Sequence, residues 1–194
     1  MSKTIKNSFN LKLTFEKMLD AYKRTYKNKI EAYKFEMDLE TNITNIINEI
    51  EQGKYKIGKY TSFVIKEPKE RIIRKLPFKD RIVQQWYIEE FIKPYFDKRF
   101  IFDTYACIKY KGNHKCVKRL QKFMKNKGKC YFLKCDIKKF FDNINSNIMF
   151  EIMTKYISDK KLLEFTKLLI FENNEKGLPI GNYTSQYFAN IYLN

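Results

Sequence analysis

One carboxylate in this sequence stands where a buried strand is expected to end. The six residues from Cys130 to Cys135 include three large aromatic or aliphatic side chains and two cysteines, which is typical of a half-buried strand. Asp136 follows directly, and two lysines and two phenylalanines come after it. Because this arrangement suits neither a core nor an ordinary surface, we predict that Asp136 belongs to a functional site.

The chemistry that fits Asp136 is a metal-assisted reaction at a phosphate. A carboxylate at a strand end, a basic hairpin and a glycine-containing loop before a helix all favour it. One carboxylate is not enough to hold two Mg²⁺ ions. Asp142 lies only six residues further on. For Asp142, however, a place in a turn or at the start of a helix is the interpretation that we favour.

A β-hairpin with a basic turn is predicted before this site. Two short extended segments, residues 60–65 and 71–76, are separated by a polar turn that contains Pro68. Charges that could meet phosphates crowd the turn and the edge of the hairpin. They belong to Lys66, Lys69, Arg71, Arg74 and Lys75. The alternative is an edge strand that its lysines protect from pairing with other chains.

The charge balance indicates a polyanionic partner. The 194 residues include 39 Lys and Arg against 22 Asp and Glu, a net charge of +17, and 16% of them are aromatic. This combination favours nucleic acid. A genome whose composition favours lysine codons is the alternative, but it explains the number of lysines better than it explains the excess of positive charge.

Several other classes of protein are disfavoured. The four cysteines have no CxxC spacing and His114 is the single histidine, so a zinc site is not expected. No signal peptide opens the chain, and no apolar run is long enough to cross a bilayer. We therefore expect a cytoplasmic protein with reduced thiols and no membrane partner.

Apolar residues at helical spacing predict helices around these segments. One helix covers residues 11–22, and a second covers residues 35–50 and ends at Gly53. Asp80 is placed to cap a third helix, which Pro94 is expected to stop.

More helices are expected in the second half of the chain. Ser146 and Asp159 are placed to cap two of them, and the last follows a loop at residues 172–182. The helix after Gly112 is expected to turn four apolar side chains inward: Val117, Leu120, Phe123 and Met124. No helix-ending signal follows Ala189, so we expect this sequence to be the front part of a longer protein.

Taken together, these segments resemble reverse transcriptases of the bacterial retroelement type over nearly the whole chain. Residues 136–144, Asp-Ile-Lys-Lys-Phe-Phe-Asp-Asn-Ile, look like motif A of that family. The resemblance implies that Asp136 is catalytic and binds both Mg²⁺ ions. It also implies that the carbonyl of Ile137 is a metal ligand and that Phe141 excludes a 2′-hydroxyl.

A second resemblance covers the loop and the last helix. Residues 178–193 look like motif B, which packs beneath the nascent base pair and would place Ile180 and Gly181 at the nucleotide. The resemblance also implies nucleic-acid contacts for five residues: Arg74, Lys75, Arg81, Ser185 and Gln186.

The hairpin region resembles the fingers motifs of the same family. Residues 68–71 and 77–81 carry this similarity. It implies that Arg71, with Lys69, contacts the triphosphate of the incoming dNTP.

Further details favour reverse transcriptases of diversity-generating retroelements. These are Thr-Tyr-Ala-Cys at 104–107, Lys-Gly-Asn-His at 111–114 and Ile-Gly-Asn at 180–182. Abortive-infection and other defence-associated reverse transcriptases share parts of this signature. Most of the family carries Gln where Ile180 stands, and Ile offers only packing, so the resemblance implies error-prone synthesis. The alternative is that Ile180 simply fills an apolar gap.

One family motif is missing from these residues. No aromatic residue followed by two aspartates, the motif C of the family, occurs in the sequence. The thumb, which grips the duplex, is also absent. We therefore predict that this chain alone does not polymerise. A non-catalytic nucleic-acid-binding module that works through a partner is the competing interpretation.

The resemblance implies an α+β fold, helix-rich with short antiparallel strands, that forms the fingers and a partial palm of a right-hand polymerase. Residues 1–53 would be an N-terminal helical extension, 54–129 the fingers and 130–194 the partial palm. The expected partners are an RNA template, a primer or cDNA, dNTPs and a basic accessory protein of the retroelement.

Overall fold

The computed structural model describes residues 4–6, 9–26, 30–67, 70–173 and 176–194. Its first helices are α1 (Phe9–Lys12), α2 (Phe15–Thr25), α3 (Ile30–Glu36) and α4 (Leu39–Glu51). The hairpin strands β1 (Thr61–Ile65) and β2 (Arg71–Lys75) come next, followed by α5 (Phe78–Tyr87), a π-helical segment (Ile88–Ile92) and α6 (Lys93–Phe96). The second half contains α7 (Asn113–Met124), α8 (Phe140–Asn143), α9 (Ser146–Thr154), α10 (Lys160–Ile170), a 3₁₀ turn (Phe171–Asn173) and α11 (Tyr183–Tyr192).

The fold class is α+β, as predicted, with many helices and one antiparallel hairpin in the described part of the chain. The hairpin pairs Thr61 with Lys75 at its base and Ile65 with Arg71 near its turn. Alternating apolar residues and a short polar turn are local signals, so the sequence predicted this element within one residue.

Helix α5 is the centre of the core. Trp86 and Tyr87 are fully buried in it, and Phe9, Phe91 and Phe165 surround Trp86 with ring centroids 5.2–5.8 Å away. The Trp86 indole N–H donates to the Lys12 carbonyl at 2.8 Å, which joins α5 to the end of α1. The burial of three aromatic rings around one indole stabilises the core around α5.

The first two predicted helices are each divided into two. The first is interrupted at Leu13 and Thr14, because the Thr14 hydroxyl accepts from the Lys17 N–H and starts a new helix there. The second is interrupted at residues 37 and 38 between α3 and α4. Gly53 follows α4 with φ +66°, the left-handed conformation expected at such an end.

Two predictions about α5 are wrong. Asp80 does not cap the helix, since α5 begins at Phe78 after Pro77, and the Asp80 carboxylate is buried instead. Pro94 does not stop the helix either, because it lies in the first turn of α6, where a missing N–H leaves no hydrogen bond unmade.

The predicted cap at Asp159 is confirmed, but the one at Ser146 is not. The Asp159 carboxylate accepts from the Leu162 N–H at 3.1 Å. At the start of α9, Asn145 is the cap, and its side-chain oxygen accepts from two backbone N–H groups of that helix. Ser146 lies one position further on, inside the first turn.

The half-buried strand predicted at residues 130–135 does not form. Residues 130–137 adopt neither helix nor strand, and Tyr131, Phe132 and Leu133 are 100%, 81% and 89% exposed. A strand needs a hydrogen-bonding neighbour, and the two strands of the described chain pair only with each other. The segment is apolar, as the sequence indicates, but no element of the described chain covers these side chains.

Helix α7 differs from its prediction in the same way. It forms as expected, yet no residue in it is buried, and the four side chains predicted to face inward are about half exposed. They are Val117, Leu120, Phe123 and Met124. No other described element covers this face of α7.

Candidate active site

An open cavity of about 1100 Å³ lies beside the hairpin, α8 and the loop of residues 176–182, which we call the bridging loop. A cavity of this size has room for a nucleotide. Three carboxylates and three cations line it: Glu70, Asp136, Asp142, Arg74, Lys139 and Lys176. Mixed charge of this kind suits a ligand that brings phosphates together with a metal ion.

A tight turn delivers Asp136 to this cavity. Lys139 has the left-handed conformation, with φ +50° and ψ +46°, and it reverses the chain just before α8. Asn143 stabilises the turn by two hydrogen bonds, from its N–H to the Lys139 carbonyl at 3.1 Å and from its side-chain amide to the Lys138 carbonyl at 3.2 Å. Asp136 is therefore positioned by a turn, and not by the end of a strand as the sequence predicted.

The first half of the bridging loop is fastened to α8. The Leu178 N–H donates to the Phe141 carbonyl at 2.8 Å, and the Gly177 N–H donates to the Ile144 carbonyl at 2.8 Å. Gly177 has φ +86°, and a Cβ atom on it would lie 3.1 Å from the Asp142 carbonyl oxygen. Glycine is favoured at this position because both the left-handed conformation and the close approach disfavour a side chain.

The second half of the bridging loop is fastened to the hairpin. The Arg74 N–H donates to the Ile180 carbonyl at 3.1 Å. Gly181 has φ +117°, and a Cβ atom on it would lie 2.7 Å from the Arg74 carbonyl oxygen. Alternating positions of the hairpin, Glu70, Ile72 and Arg74, line the cavity beside this contact.

Six of the residues predicted from the sequence line this one cavity. They are Asp136, Ile137, Phe141, Ile180, Arg74 and Gln186. They come from four separate parts of the chain, and the bridging loop joins three of these parts. Gly181 abuts β2 directly beside them.

Three further predicted residues lie outside the cavity lining. Lys75 and Arg81 both form ion pairs with Glu31 of α3, which ties β2 and α5 to that helix. The Arg81 guanidinium also lies 5.1 Å from the centre of the Phe78 ring. Ser185 is 1% exposed inside α11. The prediction for Lys69 falls outside the described residues, and Arg71 is described only by its backbone in β2.

Asp142 is the main cavity residue to which the sequence argument gave another role. It does lie at the start of a short helix, as predicted, but it also lines the cavity with Asp136. The sequence signal that could have identified Asp142 is a second carboxylate shortly after Asp136, at a spacing that one tight turn can span. Lys139 and Lys176 were not singled out, because lysine is too frequent in this sequence for any one to stand out.

Two carboxyl groups, one buried and one partly buried, support the base of the hairpin. Asp80 accepts hydrogen bonds from the Tyr55 hydroxyl at 2.6 Å and from the Gly58 N–H at 3.1 Å, and burial raises its pKa. Glu172, in the 3₁₀ turn after α10, accepts from Tyr60, and burial raises the pKa of Glu172 to about 7. Both groups hold the segment that leads into β1.

The residues present fit one part of a magnesium site. Asp136 and Asp142 offer carboxylate oxygens to the same cavity, and such hard oxygen ligands are those that Mg²⁺ prefers. Within the described ranges, no three His, Cys, Asp or Glu side chains form a group that could hold a metal ion.

A hairpin, a cavity lined by carboxylates and a glycine-containing loop before a helix are the parts expected in the fingers and palm of a polymerase. A family model described as "Reverse transcriptase (RNA-dependent DNA polymerase)" matches residues 59–194, which is more than half of the chain. The chain belongs to the reverse transcriptase family. A search of the curated proteins gave no match. No helix in the part of the chain that the structure describes could span a membrane.

Proposed function

We propose that this chain carries the nucleotide-binding part of the active site of a reverse transcriptase. The enzyme would make cDNA from an RNA template by two-metal nucleotidyl transfer. The observation that carries the proposal is that Asp136, Phe141 and Ile180 all line the same cavity. These three residues have distinct roles in the resemblance to motifs A and B, and their convergence is what a shared nucleotide site requires.

Asp136 and the carbonyl of Ile137 would hold Mg²⁺. When bound, Mg²⁺ would activate the primer 3′-hydroxyl and neutralise the charge of the leaving pyrophosphate. The ring of Phe141 would lie against the sugar and leave little room for a 2′-hydroxyl. Arg71 and Lys69, on the resemblance to the fingers motifs, would hold the β- and γ-phosphates.

Contacts to the template and primer are proposed for residues around this cavity. Arg74 and Gln186 line it and are therefore close to a nucleotide bound there. Lys75 and Arg81 would first have to leave Glu31, and Ser185 would act through backbone packing because its side chain is buried.

We also propose a domain organisation and a subfamily for the chain. Residues 1–53 form an N-terminal helical extension, 54–129 the fingers and 130–194 a partial palm. The subfamily is that of diversity-generating retroelements, with a defence-associated reverse transcriptase as the alternative. A basic accessory protein is a proposed partner and the cytoplasm the proposed location. Synthesis would be error-prone, because Ile180 offers the template and the dNTP only apolar contact.

A non-catalytic nucleic-acid-binding module is the second candidate. Residues 104–135 contain ten Lys and Arg and no Asp or Glu, a basic stretch that either function could use. The sequence also contains no aromatic residue followed by two aspartates. We therefore expect no primer extension by the 194-residue chain with Mg²⁺ and dNTPs, and steady extension would contradict this expectation.

Nucleotide selectivity separates the two candidates. The lifetime of a complex between the chain and an RNA template with a DNA primer can be measured with and without the next complementary dNTP and Mg²⁺. A reverse transcriptase site predicts a longer lifetime only with the complementary dNTP, and loss of this effect in Asp136→Asn. The matched control is Glu164→Gln, an exposed carboxylate on α10. Equal lifetimes with all four dNTPs would favour the binding module.

A further inference from the structure

A partly buried polar cluster joins the bridging loop to the base of the hairpin. The Tyr60 hydroxyl donates to one oxygen of Glu172, Oε1. The side-chain amide of Asn182 donates to the same oxygen at 2.5 Å and lies 2.6 Å from the Tyr60 hydroxyl. Tyr60 directly precedes β1, Glu172 follows α10 and Asn182 ends the bridging loop, so three separate elements meet at one carboxylate oxygen.

Asn182 occupies a capping position but does not cap. It immediately precedes α11 with extended backbone angles, where an Asn side chain normally accepts a hydrogen bond from the first turn. No such bond forms, and the 3% exposed side chain is turned towards Glu172 and Tyr60 instead. Because capping by Asn typically contributes about 1 kcal/mol, its loss indicates that the side chain has another role.

The position of Glu172 also lowers the stability of the fold. Its second oxygen, Oε2, is buried and has no hydrogen-bond partner among the described residues. Burial of a carboxyl group with one unpaired oxygen disfavours folding, and an apolar residue would avoid that penalty. The hydrogen bonds that Oε1 accepts from Tyr60 and Asn182 offset this penalty.

Movement of Asn182 would reach the cavity within two residues. Gly181 lies against the Arg74 carbonyl and Ile180 accepts from the Arg74 N–H at 3.1 Å, so the loop has almost no freedom between these contacts and Asn182. The side of the hairpin base that faces Tyr60 is itself fixed, since Asp80 holds the preceding segment at Tyr55 and Gly58.

We propose that Tyr60, Glu172 and Asn182 form a clamp that positions Ile180 and Gly181 in the nucleotide cavity, with Asn182 as the positioning residue. The effect of the clamp on nucleotide binding rests on the proposed function. The clamp itself does not, because it acts on the hydrogen bond between Arg74 and Ile180, which can be measured without any substrate.

Asn182→Ser separates positioning from stability. Serine is as good a helix cap as asparagine, but its shorter side chain cannot reach Glu172 and Tyr60. The variant should therefore restore a cap to α11 and keep the thermal stability of the chain, while it releases the bridging loop. Tyr60→Phe tests the other end of the clamp, since it removes one hydroxyl and keeps the packed ring.

The experiment measures hydrogen exchange of the Arg74 amide by NMR in the 194-residue chain. The Met149 amide, which donates to the Asn145 carbonyl at 2.9 Å in α9, is the internal reference. Both variants should accelerate exchange at Arg74 about tenfold and leave Met149 unchanged, as expected for local opening. The matched control is Tyr105→Phe, which loses an exposed hydrogen bond to Asp103.

Two results would overturn the proposal. One is unchanged exchange at Arg74 in both variants, and the other is equal acceleration at Arg74 and Met149, which would mean a general loss of stability. In the complex with primer and template, the variants should also shorten the dNTP-dependent lifetime. A wild-type chain that shows no such dNTP effect would count against the proposed function and leave the exchange result for the clamp intact.

Discussion

At the scale of single residues, Glu172 is a carboxyl group whose pKa depends on the contacts that it makes beside the site. The pKa of Glu172 is raised to about 7, mainly by burial and to a smaller extent by the nearby charge of Asp80. The hydrogen bonds from Tyr60 and Asn182 act in the opposite direction but do not offset the burial. Lys56 and Lys59 line the open cleft on the other side of Glu172.

This pKa predicts a pH dependence of stability. Folded Glu172 binds its proton more tightly than the unfolded chain does, so its contribution is fully present below the unfolded pKa near 4.5 and is lost as the pH rises to about 7. The loss is on the order of 3 kcal/mol at most. Glu172→Gln should remove this part of the pH dependence.

The measurement is the free energy of unfolding in urea between pH 4.5 and 8 for both chains. The difference between the wild type and Glu172→Gln isolates Glu172, because all other titrating groups are common to the two. Glu164→Gln should retain the wild-type curve. Parallel curves for the wild type and Glu172→Gln would mean that Glu172 titrates as it does in the unfolded chain.

Phe141 is the residue to which the account assigns sugar selectivity. Its ring lines the cavity beside Asp142, and its backbone carbonyl is fixed by the Leu178 N–H. Phe141→Ala should therefore enlarge the space at the 2′ position without moving the loop. The ratio of dNTP-stabilised to rNTP-stabilised lifetimes of the primer–template complex should fall at least tenfold, in the range of a lost steric contact.

Phe102→Ala is the control for this substitution, since Phe102 is an exposed phenylalanine that does not line the cavity. The ratio of lifetimes should not change in that variant. Unchanged discrimination in Phe141→Ala would remove Phe141 from the role of steric gate.

At the scale of elements, the bridging loop decides the geometry of the site. It is attached to α8 through Gly177 and Leu178 and to β2 through Ile180 and Gly181. Neither α8 nor the hairpin touches the core as extensively as α5 does, so the loop is the part that holds them around one cavity.

Gly181→Ala should break this attachment. A Cβ atom would lie 2.7 Å from the Arg74 carbonyl oxygen in addition to the strain of φ +117°. We expect a loss of more than about 2 kcal/mol in the free energy of unfolding. Gly53→Ala is the control, because Gly53 has φ +66° with nothing within 4 Å of its Cβ position.

The control variant should cost about 1 kcal/mol, the backbone penalty alone. Chemical denaturation of both variants gives the comparison. Equal losses in the two would show that β2 and the bridging loop yield to a methyl group, and that their contact does not fix the cavity.

The elements also show what the sequence could and could not predict. The hairpin, the cap at Asp159 and the final helix were predicted because their signals lie within a few residues of each other. The strand at residues 130–135 and the inward face of α7 were predicted from apolar composition alone. Composition tells which residues prefer burial, but not whether another element is there to cover them.

The site was predictable for a related reason. Asp136, Phe141, Ile180 and Gly181 stand in short motifs whose residue types are tied to chemistry. The clamp residue Glu172 stands in no motif. Its role depends on the Tyr60 hydroxyl, 112 positions away in the chain, and on the Asn182 amide, 10 positions away. Contacts of this kind carry no local signal.

At the scale of the whole molecule, the distribution of charge separates two regions. Residues 104–135, with ten basic and no acidic residues, account for more than half of the net charge of +17. Elsewhere several cations form ion pairs within the fold, as at Lys75, Arg81 and Lys93, each paired with a glutamate. In the basic stretch, Arg119 pairs with Asp103. The exposed basic stretch is therefore the part of the surface best suited to contact a phosphate backbone.

Binding of single-stranded RNA should consequently depend steeply on salt. Replacing Lys118 and Lys122 of α7 by Glu should reduce the slope of log K against log salt by about 1 to 2, because each lost phosphate contact contributes about 0.7. The control pair is Lys23→Glu with Lys160→Glu, which changes the net charge equally outside the stretch. Fluorescence anisotropy at several salt concentrations gives the slopes.

Equal reductions in the two double variants would mean that the total charge, and not the basic stretch, determines binding. A flat salt response of the wild type would favour a solvated surface with no phosphate contact.

The central claim is that the cavity between β2, α8 and the bridging loop is the dNTP site. The most direct test is to locate the bound nucleotide. NMR signals of the Ile180 methyl groups report its position in the chain bound to primer and template. Adding the complementary dNTP with Mg²⁺ should shift the Ile180 signals, and Asp136→Asn should abolish the shift. Unperturbed Ile180 signals under conditions where the dNTP binds elsewhere on the chain would contradict the account.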